Sequence, residues 1–435
     1  MTSIIPRVTA ARVQVAKTMR HAAVASFIAL GAGGCDGLLK VNNPASLQEG
    51  QLDDPALEPF IINGVIGEFQ FAYTNYAFFS GVLADEGFLD HPNVNFREFA
   101  LHNFNDINAT NESVYGSLQQ ARQAADNAVE RVKKMLGTRP DVNLSVARAL
   151  IYGGYSYVLL GEGFCEAPVN LSAPLPSTEL LTRAIAHFDE GIAAATAATT
   201  PANAVVAQDL ISLARVGAAR ASVKKGDLAK ARTYALAVPD GYERLAYYSA
   251  NSARENNAIQ IAVRQAQPWL GMQARFRSLD DARVPQPPTP RVSLAGNSIF
   301  PPQKPSMYGG WTGRPPAQSI DVASSVRFAS GLEARYIVAE ADGSGAAMLT
   351  FVNGRRASAG KPPVNLDGAA LVTEFRMQRA FDFYLTGQRL GDLRRYADAG
   401  TDLFPTGKYP TLRDSYGAMH CFIVPLSEKS SNPNY

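Results

Sequence analysis

The sequence predicts a mostly α-helical protein of paired helices and long irregular loops. Three observations carry that expectation. Apolar residues recur at three- and four-residue steps through several long segments, the spacing of one helix face. Strict alternation of apolar and polar residues, the mark of a half-buried strand, is scarce. With 435 residues, 46% hydrophobic and 18% charged, the chain can bury a large core without metal or disulfide staples.

Residues 1–21 are basic, and residues 22–34 (AAVASFIALGAGG) are uncharged and small or apolar. Thirteen such residues fall short of the about 20 that a helix needs to cross a membrane, and they match the n- and h-regions of a signal peptide. Ala32, Gly33 and Gly34 then lead into Cys35, a run that resembles the lipobox of bacterial lipoproteins, where the cysteine is acylated after cleavage. Ala32 departs from the usual Leu. The expectation is a signal peptide over 1–34 and a chain lipid-anchored at Cys35, held by ~0.8 kcal/mol per buried methylene. The alternative is a plain secretory signal with Cys35 a bystander. The formal charge of +2 becomes 37 bases against 39 acids once Arg7, Arg12, Lys17 and Arg20 leave with the leader. Bulk electrostatic binding to nucleic acid is thereby excluded.

Residues 36–60 are rich in Asn, Pro and Asp and predict an irregular tether. Ile61 to Leu83 predicts a buried helix, and 84–110 a long polar and aromatic loop. From Asn111 to Leu136 the residues Val114, Leu118, Ala121, Ala125 and Val129 make one helical stripe. A helix over 144–160 ends in the Gly161–Pro176 break, and Leu181, Ile185, Phe188 and Ile192 form the next stripe. Residues 207–238 predict helix, turn, helix, with the turn at Lys225-Gly226-Asp227. Small Ala218, Ala219 and Ala231 around it echo the tetratricopeptide pattern, without its large aromatics or its regular period. Pro and Gly concentrate over 245–325, with both tryptophans, Trp269 and Trp311, in that irregular segment. Helices resume over 330–341, 344–358 and 368–397, and the tail from Gly400 is loop.

Catalytic patterns are missing. There is no HExxH, no GxSxG elbow and no phosphate-cradling GxxxxGK[ST]. Adjacent acids such as Asp53-Asp54, Asp85-Glu86 and Asp280-Asp281 are ordinary solvated or capping residues before they are a glycosidase pair. His91, His102, His187 and His420 have no ligand spacing, so no metal, no cofactor and no enzymatic activity are expected. With Cys35 acylated, Cys165 and Cys421 remain, which in an exported chain is a pairing signal; two separate buried thiols are the alternative.

The most specific stretch is TEFRMQRAFDFYLTGQRLGDLRRYADAG (373–400), followed by CFIVPLSEKSSNPNY (421–435). Arg379, Asp382, Gly387, Arg389, Asp392, Leu393, Arg394 and Arg395, then Pro425, Glu428, Asn432 and Pro433, resemble the closing motifs of the SusD/RagB family. Gln378 and Asp382 depart from that family's usual glutamates. Cys35 followed by Asp36, Leu39, Val41, Asn43 and Pro44 is similar to the family's lipidated start, and the intervening pieces fall in its order. Read from spacing alone, Arg379, Asp382, Arg389 and Asp392 put opposite charges along one helix, with a packing role; direct ligand contact is the alternative.

The resemblance implies a single SusD-like domain over 35–435: a helical scaffold (61–240), a loop-rich ligand side (241–325), and a C-terminal helical segment and tail (326–435). It implies a mostly α fold with tetratricopeptide-like helix pairs. It further implies a non-enzymatic outer-membrane lipoprotein at the cell surface. Such a protein captures a nutrient, chiefly an oligosaccharide, and caps a TonB-dependent (SusC-like) barrel transporter. A helical-repeat scaffold lipoprotein in envelope assembly is the rival reading. A sugar site needs flat aromatic faces beside amide, carboxylate or guanidinium groups. Two segments offer both: Tyr308, Trp311 and Arg314 in SMYGGWTGRPP, and Tyr73, Asn75 and Tyr76 in FAYTNYAFF ahead of Asp85 and Glu86; the alternatives are Trp311 packed under its own loop and Tyr73 and Tyr76 in the core.

Overall fold

Asparagine caps and apolar stripes set the helices. A computed structural model describes residues 53–137, 143–277, 279, 281–303 and 322–435, of which 54–435 make one unit. Helix α1 (Glu58–Leu83) starts with a proline in its first turn and a glutamate beside the helix N-terminus, and is almost wholly buried from Ala72 onward. The Asn93, Asn108, Asn143 and Asn257 side chains each accept from two free N–H groups at the start of α2 (Val94–Ala100), α3 (Ala109–Leu136), α4 (Leu144–Gly163) and α8 (Ala258–Arg264). Each such cap is worth ~1 kcal/mol.

Between them lie α5 (Ser177–Ala197), α6 (Ala204–Lys224) and α7 (Leu228–Leu236). Consecutive helices from α3 to α7 pack on one another, and α1 lies against α3 and α4. Phe188 of α5 explains the closest approach. A Cβ at Gly154 of α4 would sit 2.8 Å from its ring, and one at Gly217 of α6 only 2.3 Å away. Two glycines thus let one aromatic wedge between three helices, and any larger residue forces them apart. Asp227 caps α7 by accepting from the Lys230 N–H, just after the turn at Gly226 (φ 81°).

The expected loops contain short structure that periodicity did not reveal. Within 84–110 stand β1 (Gly87–Leu89) and α2; within 245–325 stand α8, β5 (Leu270–Met272), β6 (Arg291–Val292) and β7 (Ser298–Ile299). Strands β1 and β5 pair antiparallel, Gly87 with Met272 and Leu89 with Leu270, fastening the long segment to the end of α1. Two further ribbons are β2 (Glu166–Ala167) with β3 (Leu175–Pro176), and β4 (Glu243–Ala246) with β8 (Val326–Ser330). Strands of two to five residues are too short to show a period.

After β8 come α9 (Gly331–Ala341) and α10 (Ala346–Ser358), then α11 (Gly368–Asp382), α12 (Arg389–Asp398) and α13 (Leu426–Ser431). The single helix expected over 368–397 is therefore two. The chain breaks at 383–388, where Leu385 (φ 56°) and Gly387 (φ 79°) take left-handed backbone angles. A Cβ at Gly387 would also press within 3.1 Å of Ala77 in α1. A second, smaller core of Tyr336, Met348, Val352, Leu371, Phe375 and Phe383 holds α9–α11 together.

That break corrects the charge pattern. Arg379 bonds Asp392 across it, Nε to Oδ2 at 2.7 Å, and Lys224 of α6 reaches Asp392 at 2.6 Å. Asp382 accepts two bonds from Arg355 at 2.7 and 2.8 Å and one from Arg283 at 3.2 Å. Arg389 instead grips Asp85, 304 positions away. These are buried tertiary pairs between elements, not a ladder along one helix. Arg220 of α6 grips Glu333 of α9 in the same two-pronged manner, at 2.6 and 2.7 Å.

Cys165 and Cys421 form a disulfide, with Cα atoms 5.3 Å apart. Beside it Phe164 and Phe422 make a parallel bridge and stack, and Phe99 also stacks on Phe422. No helix among the described residues is long and apolar enough to cross a membrane.

Candidate functional site

Most of the residues expected to touch ligand in the 71–86 segment are interior. Tyr73 is 1% exposed and donates its hydroxyl to the Thr386 carbonyl at 2.7 Å; Tyr76 is 0% exposed and packs on Phe422. Asp85 is held by Arg389 and Arg275, and Glu86 is fully buried under Gly81 and Leu385. The reason is that α1 is apolar on every side in its second half, so its tyrosines face core and not water. Asn75 is half-buried and donates to the Phe71 carbonyl at 3.0 Å. Tyr308, Trp311 and Arg314, like Cys35, lie outside the described residues.

An open aromatic and polar cleft does exist, one turn earlier on α1. It holds ≈ 490 Å³ and is lined by Gly64, Gly67, Glu68, Gln70 and Phe71 of α1 and by Tyr247, Tyr248, Ser249, Arg254 and Glu255 between β4 and α8. Pockets of about 300–1,000 Å³ are the usual size for small ligands. The Gln70 carboxamide, its nitrogen toward the Tyr247 carbonyl, makes two bonds to the Tyr247 backbone at 3.1 and 3.2 Å. The Gln70 carbonyl accepts from the Tyr248 hydroxyl at 3.1 Å. Both fasten the 247–248 segment to α1 while Tyr247 stays 63% exposed.

Charged groups complete the lining. The Arg254 guanidinium lies 4.2 Å over the Phe71 ring and bonds Glu68 at 2.5 Å, so its position is fixed from two sides. Glu255 accepts from the hydroxyls of Ser249 (2.5 Å) and Ser252 (3.0 Å), which hold its carboxyl below the usual range. The Ser249 N–H donates to the Glu255 carbonyl at 2.9 Å and closes the turn on itself. The floor is bare helix. Gly64 and Gly67 are exposed, and a Cβ built on either meets nothing within 4 Å. Glycine inside a helix costs about 0.5–1 kcal/mol, and packing does not require it at these two positions.

The arrangement can therefore offer one exposed ring face, a fixed guanidinium, two carboxylates, an amide and hydroxyls to a solute lying on helix backbone. Sequence reasoning missed Tyr247, Arg254 and Glu255. The adjacent tyrosines of LAYYSANSAREN (245–256) beside a Ser/Asn-rich charged run were the available signal. A second cleft of ≈ 670 Å³, between 279–286 and 359–361, has no aromatic side chain among its lining residues. No cluster able to hold a metal ion occurs among the described residues.

No family model matches the sequence, and no curated protein matches it. Solved structures do resemble its fold. A SusD superfamily protein from Bacteroides fragilis superposes with a TM-score of 0.64 at 13% identity, over 87% of this chain and 98% of that one. A SusD-like carbohydrate-binding protein from Bacteroides vulgatus gives 0.63 at 13% identity, over 87% and 96%. Surface glycan-binding protein A from Bacteroides uniformis gives 0.61 at 13% identity, over 87% and 98%. The expected paired-helix architecture is thus the one observed, and the chain has the SusD-like fold.

Proposed function

We propose that this protein is a surface glycan-binding lipoprotein, anchored through Cys35, that captures an oligosaccharide and delivers it to a TonB-dependent barrel transporter. The observation that carries the glycan reading is the open cleft of α1 and the 247–255 turn, where exposed Tyr247 lines the same cleft as polar groups already fixed by their own bonds. Aromatic faces match the C–H side of a sugar ring, and preorganised polar groups match its hydroxyls without an ordering cost. The SusD-like fold supports the same reading, as do the structural neighbours from Bacteroides vulgatus and Bacteroides uniformis, a carbohydrate-binding and a glycan-binding protein. Tyr308, Trp311 and Arg314 are proposed as further ligand contacts on their Gly/Pro loop. The reading is one of binding and not of turnover.

Two measurements test it. Isothermal calorimetry against a glycan panel is expected to find a binder whose affinity falls on Trp311→Ala while the melting temperature holds; unchanged affinity removes Trp311 from the site. A pull-down from detergent-solubilised outer membranes, with the anchor retained, is expected to recover a barrel transporter at about one per chain. Recovery of assembly factors without a transporter makes the protein a scaffold instead.

A further inference from the structure

We infer that Gln70 is a positioning residue of the cleft: its carboxamide holds the Tyr247 backbone where that residue meets ligand, so that affinity depends on Gln70 through Tyr247. This rests on the glycan-binding reading above and adds the group that sets its aromatic contact.

Strand β4 pairs with β8 as far as Ala246, opposite Val326, and Tyr247 is the first residue past that pairing. From there a side chain stands in for the neighbouring strand. The Gln70 carboxamide accepts from the Tyr247 N–H at 3.2 Å and donates to the Tyr247 carbonyl at 3.1 Å. An antiparallel partner offers one residue the same two bonds. Together they fix where Tyr247 lies and how it is turned, because one bond alone leaves a pivot. Tyr247 is 63% exposed, so little of its placement comes from packing of its own side chain. The neighbouring bond is of a different kind. The Tyr248 hydroxyl donates to the backbone carbonyl of Gln70 at 3.1 Å, and any residue at position 70 keeps it. Removing the carboxamide therefore frees Tyr247 and leaves Tyr248 tied to α1.

Few side chains can replace this one. The grip needs an acceptor and a donor side by side at the end of a two-carbon stem. A carboxylate accepts without donating, lysine and arginine donate without accepting, and asparagine holds its amide one methylene short. The helix itself does not ask for glutamine, since alanine, methionine and glutamate suit it as well. Gln70 is half-buried and lines the cleft, so a change at this position leaves the core side of α1 untouched. A Tyr247 set loose has to be ordered when ligand arrives, and that cost falls on affinity.

The test uses the full chain and the tightest binder from a panel of amylopectin, β-glucan, galactomannan, arabinoxylan and polygalacturonate, by calorimetry and affinity electrophoresis. Gln70→Met is expected to weaken binding about fivefold or more with its melting temperature held. Placed in the Tyr247→Ala protein, it is expected to add no further loss. Hydrogen exchange with mass spectrometry is expected to find the Tyr247 N–H protected in the parent and unprotected in Gln70→Met. Gln70→Glu is the sharper probe. At neutral pH it keeps the acceptor and lacks the donor, so it is expected to bind as poorly as Gln70→Met. At about pH 4, near the ordinary glutamate value of about 4.3, its protonated carboxyl regains a donor and its affinity is expected to approach the parent's at the same pH.

Unchanged affinity of Gln70→Met, equal losses with and without the Tyr247 side chain, or a Tyr247 N–H that exchanges alike in both proteins each overturns the inference and leaves the glycan reading standing. So does a binder that Tyr247→Ala does not weaken, and so does a Gln70→Glu deficit that acid fails to repair. If no polymer binds, the glycan reading falls and this inference falls with it.

Discussion

Arg389 donates to both carboxylate oxygens of Asp85, at 2.7 and 2.8 Å, joining the start of α12 to the chain just past α1. Both side chains are less than 5% exposed. Arg275, near the loop-rich segment's own strand β5, binds the same Asp85, so one carboxylate fastens three parts of the chain.

Asp85→Ala is expected to cost about 3–5 kcal/mol, because it leaves the Arg389 charge buried without its partner. Urea denaturation followed by circular dichroism reads the shift. A loss below 1 kcal/mol would mean that water reaches Arg389 once Asp85 is gone.

Glu86 should make stability depend on pH. Its Oε1 accepts from the Leu385 N–H at 2.8 Å, while Oε2 has no partner and the whole group is buried. Burial pushes its carboxyl from an ordinary value near 4.5 up to about 8, against the pull of Arg389. Between those values the native protein holds a proton that the unfolded chain has released, so this group's contribution falls as pH rises through the window and levels off above it. Glu86→Gln is expected to be more stable than the parent at pH 8–9, by up to a few kcal/mol, with the difference shrinking toward pH 5. Equal slopes of stability against pH for the two proteins would refute the assignment.

Reduction of the Cys165–Cys421 disulfide is expected to lower stability by about 2–5 kcal/mol, since it closes a loop of 256 residues. The Cys165→Ser/Cys421→Ser protein should match the reduced parent in guanidinium unfolding. Any remaining sensitivity of the variant to reductant would point to Cys35.

Gly67→Ala is expected to stabilise α1 by about 0.5–1 kcal/mol, because the position is helical and the added methyl meets open space. Gly67→Trp keeps the fold and fills the cleft, and glycan affinity is expected to fall at least tenfold. Undiminished affinity in the tryptophan variant would exclude the cleft.

The helices were legible because their signals are local. The stripe of Val114, Leu118, Ala121, Ala125 and Val129 is buried as its spacing requires, and the turn at Gly226 stands where the small residues flank it. The partition of 368–397 was not legible, because Leu385 is held left-handed at φ 56° by tertiary contacts and not by any residue preference. Nor was the partner of Arg389, which lies 304 positions away. In FAYTNYAFF the chemistry was visible but its direction was not. A helix apolar on all sides does not say which tyrosine meets water, and the cleft formed on Phe71 instead. Tyr247 owes its exposure to the grip of Gln70 on its backbone, a contact between segments about 180 residues apart that neither segment announces.

The seam where Phe422 stacks on Phe99 and Phe164 joins segments more than 250 residues apart, and residue 422 is made long after the other two. Helices α3 to α7 leave the ribosome long before that stretch exists, and they can assemble on neighbours made shortly before them. A product stopped short of Cys421 keeps its helix pairs but shows water an uncovered aromatic strip and a lone thiol at Cys165. Both are covered once Cys421 and Phe422 are in place. Docking of the 421–422 segment thereby covers the aromatic strip and the Cys165 sulfur in one late step.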